Sequence, residues 1–329
     1  MKNLLVAIDY FVHPKEEINQ LFKSKGIIVT YNDLGRELDF IKDFKYYENI
    51  DYVIAGTENY NKKFFEKFKK IILISRVGVG TDNIDKQAAK KNNVKIFITS
   101  DSPSVAVAEL CIGNIINLNR QIINFNKQIK SKKILKPMGT DLRGATVGIV
   151  GFGSIGKELA KRLIPMEVKL LGYGRNWEDD FYYKYKIKRV DLNYLFKNSD
   201  IVSIHLPLAK ETYKLIDKKL INKMKKNSIL INTSRSGVID NKYLFLKLKD
   251  KSIKGAAIDV FEEENLINDF SNFSNVILTP HIGSHTAETR NIMEKHAIRN
   301  LIKFHNLKNK LEDNGSIDKD LEYLKKFQV

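Results

Sequence analysis

The chain has 329 residues, is 43% hydrophobic, and carries 56 lysines and arginines against 39 acids, a net charge of +17. That apolar fraction supports a sizeable core and excludes a disordered chain, while the length points to two domains rather than one. No apolar run nears the roughly 20 residues a membrane span requires, and the single cysteine excludes an internal disulfide, so a soluble cytoplasmic protein is expected.

The opening MKNLLVAIDYFV has a lysine and a short apolar stretch, as a signal peptide does. Asp9 interrupts it and no small-residue cleavage site follows, so it reads as a first strand. KGIIVT, DYVIAG, KIILISR and VKIFIT continue as strands, with amphipathic helical stretches between them. A long helical stretch runs from about Pro103 to Lys130, opened by the cap-then-proline pair Ser102-Pro103. Within it Cys111 has apolar neighbours at helical spacing, which makes it a core thiol rather than a nucleophile. A second alternating series follows in ATVGIVG, VKLLGYG, DIVSIHL, SILINTS, KGAAIDV and NVILTP, and the stretch from about Thr286 is helical and polar. Repeated strand–helix alternation specifies parallel sheets with helices on both faces. The lysines fall on helix faces, as in KKLINKMKK, without zinc-ligand spacing or an aromatic RNA-binding signature. A nucleic-acid partner is therefore not expected, and the charge is read as an aid to recruiting anionic substrates.

The sharpest local motif is Gly151-Phe152-Gly153-Ser154-Ile155-Gly156. It follows the strand ATVGIV and opens the helical SIGKELAKRL, the context a dinucleotide pyrophosphate needs. Gly151 permits the tight turn, Gly153 lets the backbone approach the diphosphate, and Gly156 lets helix and strand pack closely. The free N–H groups and dipole of the helix start then hold the anion. An NAD site usually carries an acid about 20 positions further on, but the next strand ends in Gly174-Arg175. A guanidinium binds a 2′-phosphate that an acid would repel, and Asn176 adds a donor, so NADP(H) is favoured over NAD(H). The alternative gives the ribose to Glu178 or Asp179.

Three later strands end in polar residues: Asn232, Thr233, Ser234 and Arg235; Asp259 followed by Glu262, Glu263 and Glu264; and Thr279-Pro280-His281. Ligands of open α/β sheets bind outside the carboxyl ends of the strands, which brings these three ends to one crevice. Reduction of a carbonyl needs a proton donor for the developing alkoxide, and histidine suits that task near neutrality. A carboxylate partner raises and orients such a histidine, while a guanidinium holds a substrate carboxylate and polarises the carbonyl.

VGIVGFGSIG, INTSRSGVID, GAAIDVFEEE and LTPHIGSHTAE, together with SRVGVGTDNID and the VAEL of SPSVAVAEL, resemble the D-isomer-specific 2-hydroxyacid dehydrogenase family, most of all its phosphoglycerate dehydrogenase-like members. The resemblance spans nearly the whole chain. It implies an α/β protein of two doubly wound parallel-sheet domains with a cleft between them. A Rossmann cofactor domain would cover 100–289, and a discontinuous flavodoxin-like substrate domain 1–99 and 290–329. It implies hydride transfer between NAD(P)(H) and a small D-2-hydroxy acid or 2-oxo acid, with no metal. Arg235 would bind and orient the substrate, Glu264 would tune the histidine, and His281 would be the acid/base. Asp259 would bond the nicotinamide carboxamide, Ser154 and Ile155 would line the pyrophosphate, and Thr233, Ser234, Arg235, His281 and Gly283 would edge the cofactor. Backbone groups of Val77, Gly78 and Val79 would meet the substrate carboxylate. A homodimer through the cofactor domain is implied, and no carboxy-terminal regulatory domain is expected.

Two departures stand out. Asn265 replaces the proline usual after the catalytic acid, which leaves the choice among Glu262, Glu263 and Glu264 to spacing, and Gly174-Arg175 replaces the usual acid. His285 reads as a helix-start residue rather than the acid/base. The substrate stays open among 3-phosphoglycerate, glyoxylate, hydroxypyruvate and bulkier acids, with Asn59, Asn61 or Lys62 as candidate phosphate ligands. The competing reading is a dinucleotide-sensing, corepressor-like interaction protein on the same fold.

Overall fold

The structure is a computed structural model that describes residues 1–99, 103–132, 136, 138–175, 179–261 and 264–312. The chain divides into two compact units, Met1–Pro103 with Thr286–Val329 and Ser104–His285.

The first unit holds a parallel sheet of β1 (Lys2–Val6), β2 (Ile27–Tyr31), β3 (Tyr52–Ala55), β4 (Leu73–Arg76) and β5 (Lys95–Phe97) in the order β2-β1-β3-β4-β5. That is the flavodoxin-like order. The central strands are apolar without alternation because both faces are covered: all four residues of β3 are buried. One face packs on Tyr47, Tyr60, Phe64 and Phe65. The other face packs on Phe22 and on Met293, Ala297, Ile298 and Leu301 of the helix Ala287–Glu312. Ser75 Oγ donates to the Ala297 carbonyl (2.9 Å), and Tyr52 Oη meets His305 Nδ1 (2.9 Å), which ties that terminal helix to this sheet. Asn61 and Asp85 cap the helices Lys62–Lys67 and Lys86–Lys91 through the Phe64 and Ala88 amides.

The second unit holds β6 (Thr146–Val150), β7 (Lys169–Tyr173), β8 (Lys188–Arg189), β9 (Ile201–Ile204), β10 (Ile229–Asn232), β11 (Gly255–Ile258) and β12 (Val276–Leu278). All pair in parallel, in the order β12-β11-β10-β9-β6-β7-β8, a Rossmann arrangement extended by one strand. β8 is two exposed basic residues and carries no apolar run to announce it. The single helix read from Pro103 to Lys130 is two, Ser104–Arg120 and Ile122–Lys130, because Gln121 turns left-handed at φ 51° and breaks the ladder. Ser102, read as its cap, lies outside the described residues. No helix among the described residues is long and apolar enough to cross a membrane.

Candidate active site

Strand register sets one row across the second sheet. Tyr173, Val150, Ile204, Asn232, Ile258 and Leu278 are consecutive partners from β7 to β12. The residues that follow them, Gly174-Arg175, Gly151, His205, Thr233–Arg235, Asp259 and Thr279–His281, therefore leave the sheet along one edge. The chain turns from β6 toward β7 on one side and later reaches β9 on the other, so this row crosses a topological switch point.

At β6 the three glycines have distinct reasons. Gly151 sits at φ 100°, and a Cβ there would lie 2.4 Å from the His205 carbonyl oxygen. A Cβ on Gly156 would lie 2.2 Å from the Gly151 carbonyl oxygen, so the helix and strand approach only with glycine. Gly153 faces open space. It is the N-cap of Ser154–Leu163 and supplies no side-chain acceptor, leaving the first-turn N–H groups for an anion. This cradle fits a dinucleotide pyrophosphate. The Gly151 N–H donates to the Tyr173 carbonyl (2.7 Å), which brings the end of β7, with the exposed Arg175, beside the glycine turn. Asn176 and Glu178 lie outside the described residues, while Asp179 opens the helix Asp179–Lys184 on the surface.

After β10 the loop is built on Asn232, which is fully buried. Its Oδ1 accepts from the Ser234 N–H (3.0 Å) and Oγ (2.8 Å), and its Nδ2 donates to the Arg235 carbonyl (3.1 Å). The Arg235 guanidinium is half-buried and donates through Nη1 to the Ser234 carbonyl (2.7 Å). Thr233 Oγ1 lies 3.3 Å from Cys111 Sγ. Burial pushes that thiol up to about 11, so it stays protonated, as a core thiol does. The hydroxyls of Thr233 and Ser234 thus each have a partner inside the unit.

Asp259 is buried and organises the loop that carries His281. Its Oδ1 accepts from Thr279 Oγ1 (2.6 Å) and the Ile282 N–H (2.9 Å), and its Oδ2 from the Gly283 N–H (2.9 Å). The His281 N–H reaches both the Asp259 and Thr279 carbonyls at 3.0 Å. So held, His281 adopts φ 55° with an exposed side chain, a left-handed conformation that costs an L-residue about 1–2 kcal/mol. Gly283 is buried and its N–H is committed to Asp259. Glu264 begins the helix Glu264–Ser271; its side chain, and Glu262 and Glu263, lie outside the described residues. His285 lies in the turn before the last helix, its N–H on the Ile282 carbonyl, and Thr286 is the residue that caps, through the Thr289 N–H.

In the first unit the turn after β4 differs from expectation in one respect. The Val77 N–H donates to the Ala55 carbonyl (2.8 Å) and the Gly78 N–H to Thr99 Oγ1 (2.8 Å). Among the described residues the Val79 and Gly80 N–H groups make no hydrogen bond. The open donors of this turn are therefore Val79 and Gly80 rather than Val77 and Gly78. Asn61 caps the helix Lys62–Lys67, Lys62 sits near Glu66 in solvent, and Asn59 is exposed. Asn232 and Gly80 were not singled out as site residues in the sequence. The polar end of an apolar strand signalled the first, whereas the second depends on which amides the fold consumes.

The family model for the NAD-binding domain of D-isomer specific 2-hydroxyacid dehydrogenases matches residues 112–283. A glyoxylate reductase of Thermofilum pendens is 40% identical over 256 residues, 75% of each chain. A D-3-phosphoglycerate dehydrogenase of Methanocaldococcus jannaschii is 34% identical over 283 residues, covering 84% of this chain and 53% of that protein. The crystal structure of a glyoxylate reductase from Paecilomyes thermophila superposes with a TM-score of 0.80 at 26% identity, covering 92% of this chain and 95% of that one. Taken with the glycine cradle and the polar row that shares its sheet edge, these matches show that the chain belongs to the D-isomer specific 2-hydroxyacid dehydrogenases, enzymes that act on CH–OH donors with a nicotinamide dinucleotide.

Proposed function

We propose that this dehydrogenase reduces a small unphosphorylated 2-oxo acid of the glyoxylate or hydroxypyruvate kind, with NADPH preferred over NADH. The observation that carries the substrate reading is the charge at the carboxyl edge of the first sheet. The loops after β1 to β4 hold Asp9, Asp33, Glu37, Asp39, Asp43, Asp82 and Asp85, besides the buried Glu58. Their cations are Lys42 and Arg36, with the buried Arg76 closing β4 beside them, and Arg36 is forked on Asp43 at 2.8 Å through both nitrogens. His13 is no cation there, since burial lowers its pKa. A phosphate dianion brought to this edge meets net repulsion, and the +17 of the whole chain acts beyond the roughly 8 Å over which charge is felt at physiological salt. The likeness to glyoxylate reductases agrees with a substrate carrying one carboxylate.

In this reading Arg235 receives the substrate carboxylate and polarises the carbonyl, and the Val79 and Gly80 amides offer further donors for a carboxylate. His281 gives its proton to the carbonyl oxygen as the alkoxide forms, and Glu264 stabilises the imidazolium beforehand. The nicotinamide, when bound, supplies the hydride. The buried Asp259 holds the His281 loop and keeps one oxygen with capacity for a carboxamide N–H. The preference for NADPH is supported by Arg175 at the end of β7 beside the glycine turn. A homodimer is supported by the helix Ile122–Lys130, which buries none of its residues and exposes Ile122, Ile123 and Ile129 beside a cavity of about 350 Å³ lined by Phe273 and Ile277. That cavity reaches the row only at Leu278, the apolar end of β12, and a second copy is the occupant assigned to it.

The test is the initial rate of nicotinamide oxidation with NADPH and NADH across glyoxylate, hydroxypyruvate and phosphohydroxypyruvate. We expect an unphosphorylated acid to exceed the phosphorylated one at least about tenfold in kcat/KM, which corresponds to roughly 1.4 kcal/mol of repulsion. Best use of the phosphorylated acid overturns the substrate reading, and equal use of the two dinucleotides overturns the cofactor reading.

A further inference from the structure

We infer that the lysine-covered layer built by the helices Lys218–Ile221 and Asn241–Lys249 and their flanking turns is a docking surface for a single-stranded nucleic acid. The inference is independent of the substrate reading.

Residues 210–251 carry eleven lysines against four acids, a net charge of +7 (11 − 4) in 42 of the 329 residues, with the Arg235 of the site besides. Ten of these lysines are exposed and Lys247 is half-buried. Two of the acids, Asp217 and Asp240, are half-buried caps that accept from the Leu220 N–H (2.9 Å) and the Tyr243 N–H (3.2 Å). Lys225 is paired with Asp200 (2.8 Å), and none of the other lysines makes an ion pair among the described residues.

Along the sequence these lysines read as separate helix faces. The fold gathers them, because each element turns its apolar side inward: Leu220, Ile221, Met224, Leu244 and Leu248 are buried in one core. The two helices meet at Tyr243, whose ring centre lies 5.3 Å from Lys218 Nζ and 5.8 Å from Lys247 Nζ. Its Oη donates to Asn222 Oδ1 (2.5 Å). The layer covers the sheet face opposite the glycine helix Ser154–Leu163, which packs in the other core. Lys225, Lys226, Lys249 and Lys251 stand toward the amino ends of β10 and β11. The four residues of β10 put about 13 Å between that end and the polar row, beyond the roughly 8 Å over which charge is felt. Hydride transfer at the row makes no use of this charge.

A band of lysines binds a polyanion by releasing its counterions, and a nucleic-acid backbone carries one such charge per nucleotide. An anionic bilayer also attracts lysines, but a helix that settles on one buries an apolar face as well. Leu246 is the one exposed aliphatic side chain among the described residues of this layer. Tyr213 is 57% exposed, with Lys214 Nζ 5.4 Å from its ring centre. That pair offers a stacking surface for a base and a cation for the adjoining phosphate. Only an unpaired base presents its face to such a ring, which selects the single strand.

The probe is a fluorescein-labelled oligouridylate of about twenty nucleotides, long enough for several site sizes, titrated by anisotropy between 50 and 200 mM salt, the range over which phosphate contacts show. Three forms are compared with the parent: Lys219→Gln, Lys223→Gln, Lys226→Gln and Lys242→Gln combined; a control with the same loss of charge, Lys23→Gln, Lys86→Gln, Lys90→Gln and Lys91→Gln combined; and Tyr213→Ala. Far-UV circular dichroism and Tm establish that each is folded. We expect parent affinity to fall with salt at a logarithmic slope of about 3 or more, which corresponds to at least four phosphates. The layer variant should bind at least about tenfold more weakly with a shallower slope, the control within about threefold of the parent. Tyr213→Ala should bind about fivefold more weakly at an unchanged slope, as a lost stack does. Equal losses in the layer and control variants reduce the binding to net charge and overturn the inference. Tyr213→Ala that binds as the parent does overturns it too. Tighter capture by phosphatidylglycerol vesicles than by the oligonucleotide, abolished in the layer variant, assigns the surface to a membrane instead.

Discussion

His281 is the side chain to which the proposed mechanism gives the proton, and its backbone is held in an unusual conformation. A histidine at positive φ persists only where its surroundings over-determine it, and here Asp259 does so through its carboxylate and its carbonyl. Replacing the ring leaves that scaffold intact. We expect His281→Gln to lower kcat by about 10²–10⁴, the span of a lost general acid, while the dinucleotide Kd measured by fluorescence titration stays within twofold. An unchanged turnover number removes His281 from the mechanism. Arg235, Asp259 and His281 stand out in the sequence because charged and polar residues at the ends of apolar strands are out of place in a core. Asn232 was visible for the same reason, but its service as the scaffold of Arg235 follows only from three hydrogen bonds that no spacing announces.

Among the elements, the loop after β3 shows how a strand end stores a titratable group. Glu58 is buried, accepts from the Gly56 N–H (2.7 Å) and Tyr60 Oη (3.1 Å), and is pushed by desolvation up to about 7. The folded state therefore holds its proton more tightly than the unfolded chain, whose carboxyl titrates near 4.5. The resulting stability is full below pH 4.5 and is lost as pH rises through 7. Glu58→Gln removes that dependence. In thermal unfolding we expect it to match the parent near pH 5 and to be more stable at pH 8.5, by at most about 3 kcal/mol; a constant difference across that range contradicts a buried, protonated Glu58. Strands with continuous apolar runs were legible at this scale, because burial on both faces needs them. β8 and the break at Gln121 were not: the first is short and polar, and the second is a single left-handed residue inside a pattern that reads as one helix.

The whole molecule separates two charge distributions. The chain carries a net +17, while the loops at the carboxyl edge of the first sheet are acidic, so the global sign does not describe the charge at that edge. Assembly belongs to this scale too. In the proposed dimer a second copy covers the apolar face of Ile122–Lys130, so Ile129→Glu would place charges inside that interface. We expect sedimentation to find a dimer for the parent and a monomer for the variant, with far-UV circular dichroism unchanged. A monomeric parent overturns the dimer, and a variant that remains dimeric removes this helix from the interface.

The sequence by itself determined both parallel sheets, the glycine cradle and the family, because each depends on local periodicity or on a short motif whose physics is contained in neighbouring residues. Tertiary structure decided which donors remain for ligands. The amides of Val77, Gly78 and Gly283 are consumed by Ala55, Thr99 and Asp259, partners that lie 22, 21 and 24 positions away in the chain (77 − 55, 99 − 78, 283 − 259). It also decided that the Arg76 guanidinium fills the space beside Gly78, which only the folded turn reveals. Hydrogen-bond capacity is shared out across the fold, and a donor's availability is a property of that distribution rather than of the residue that carries it.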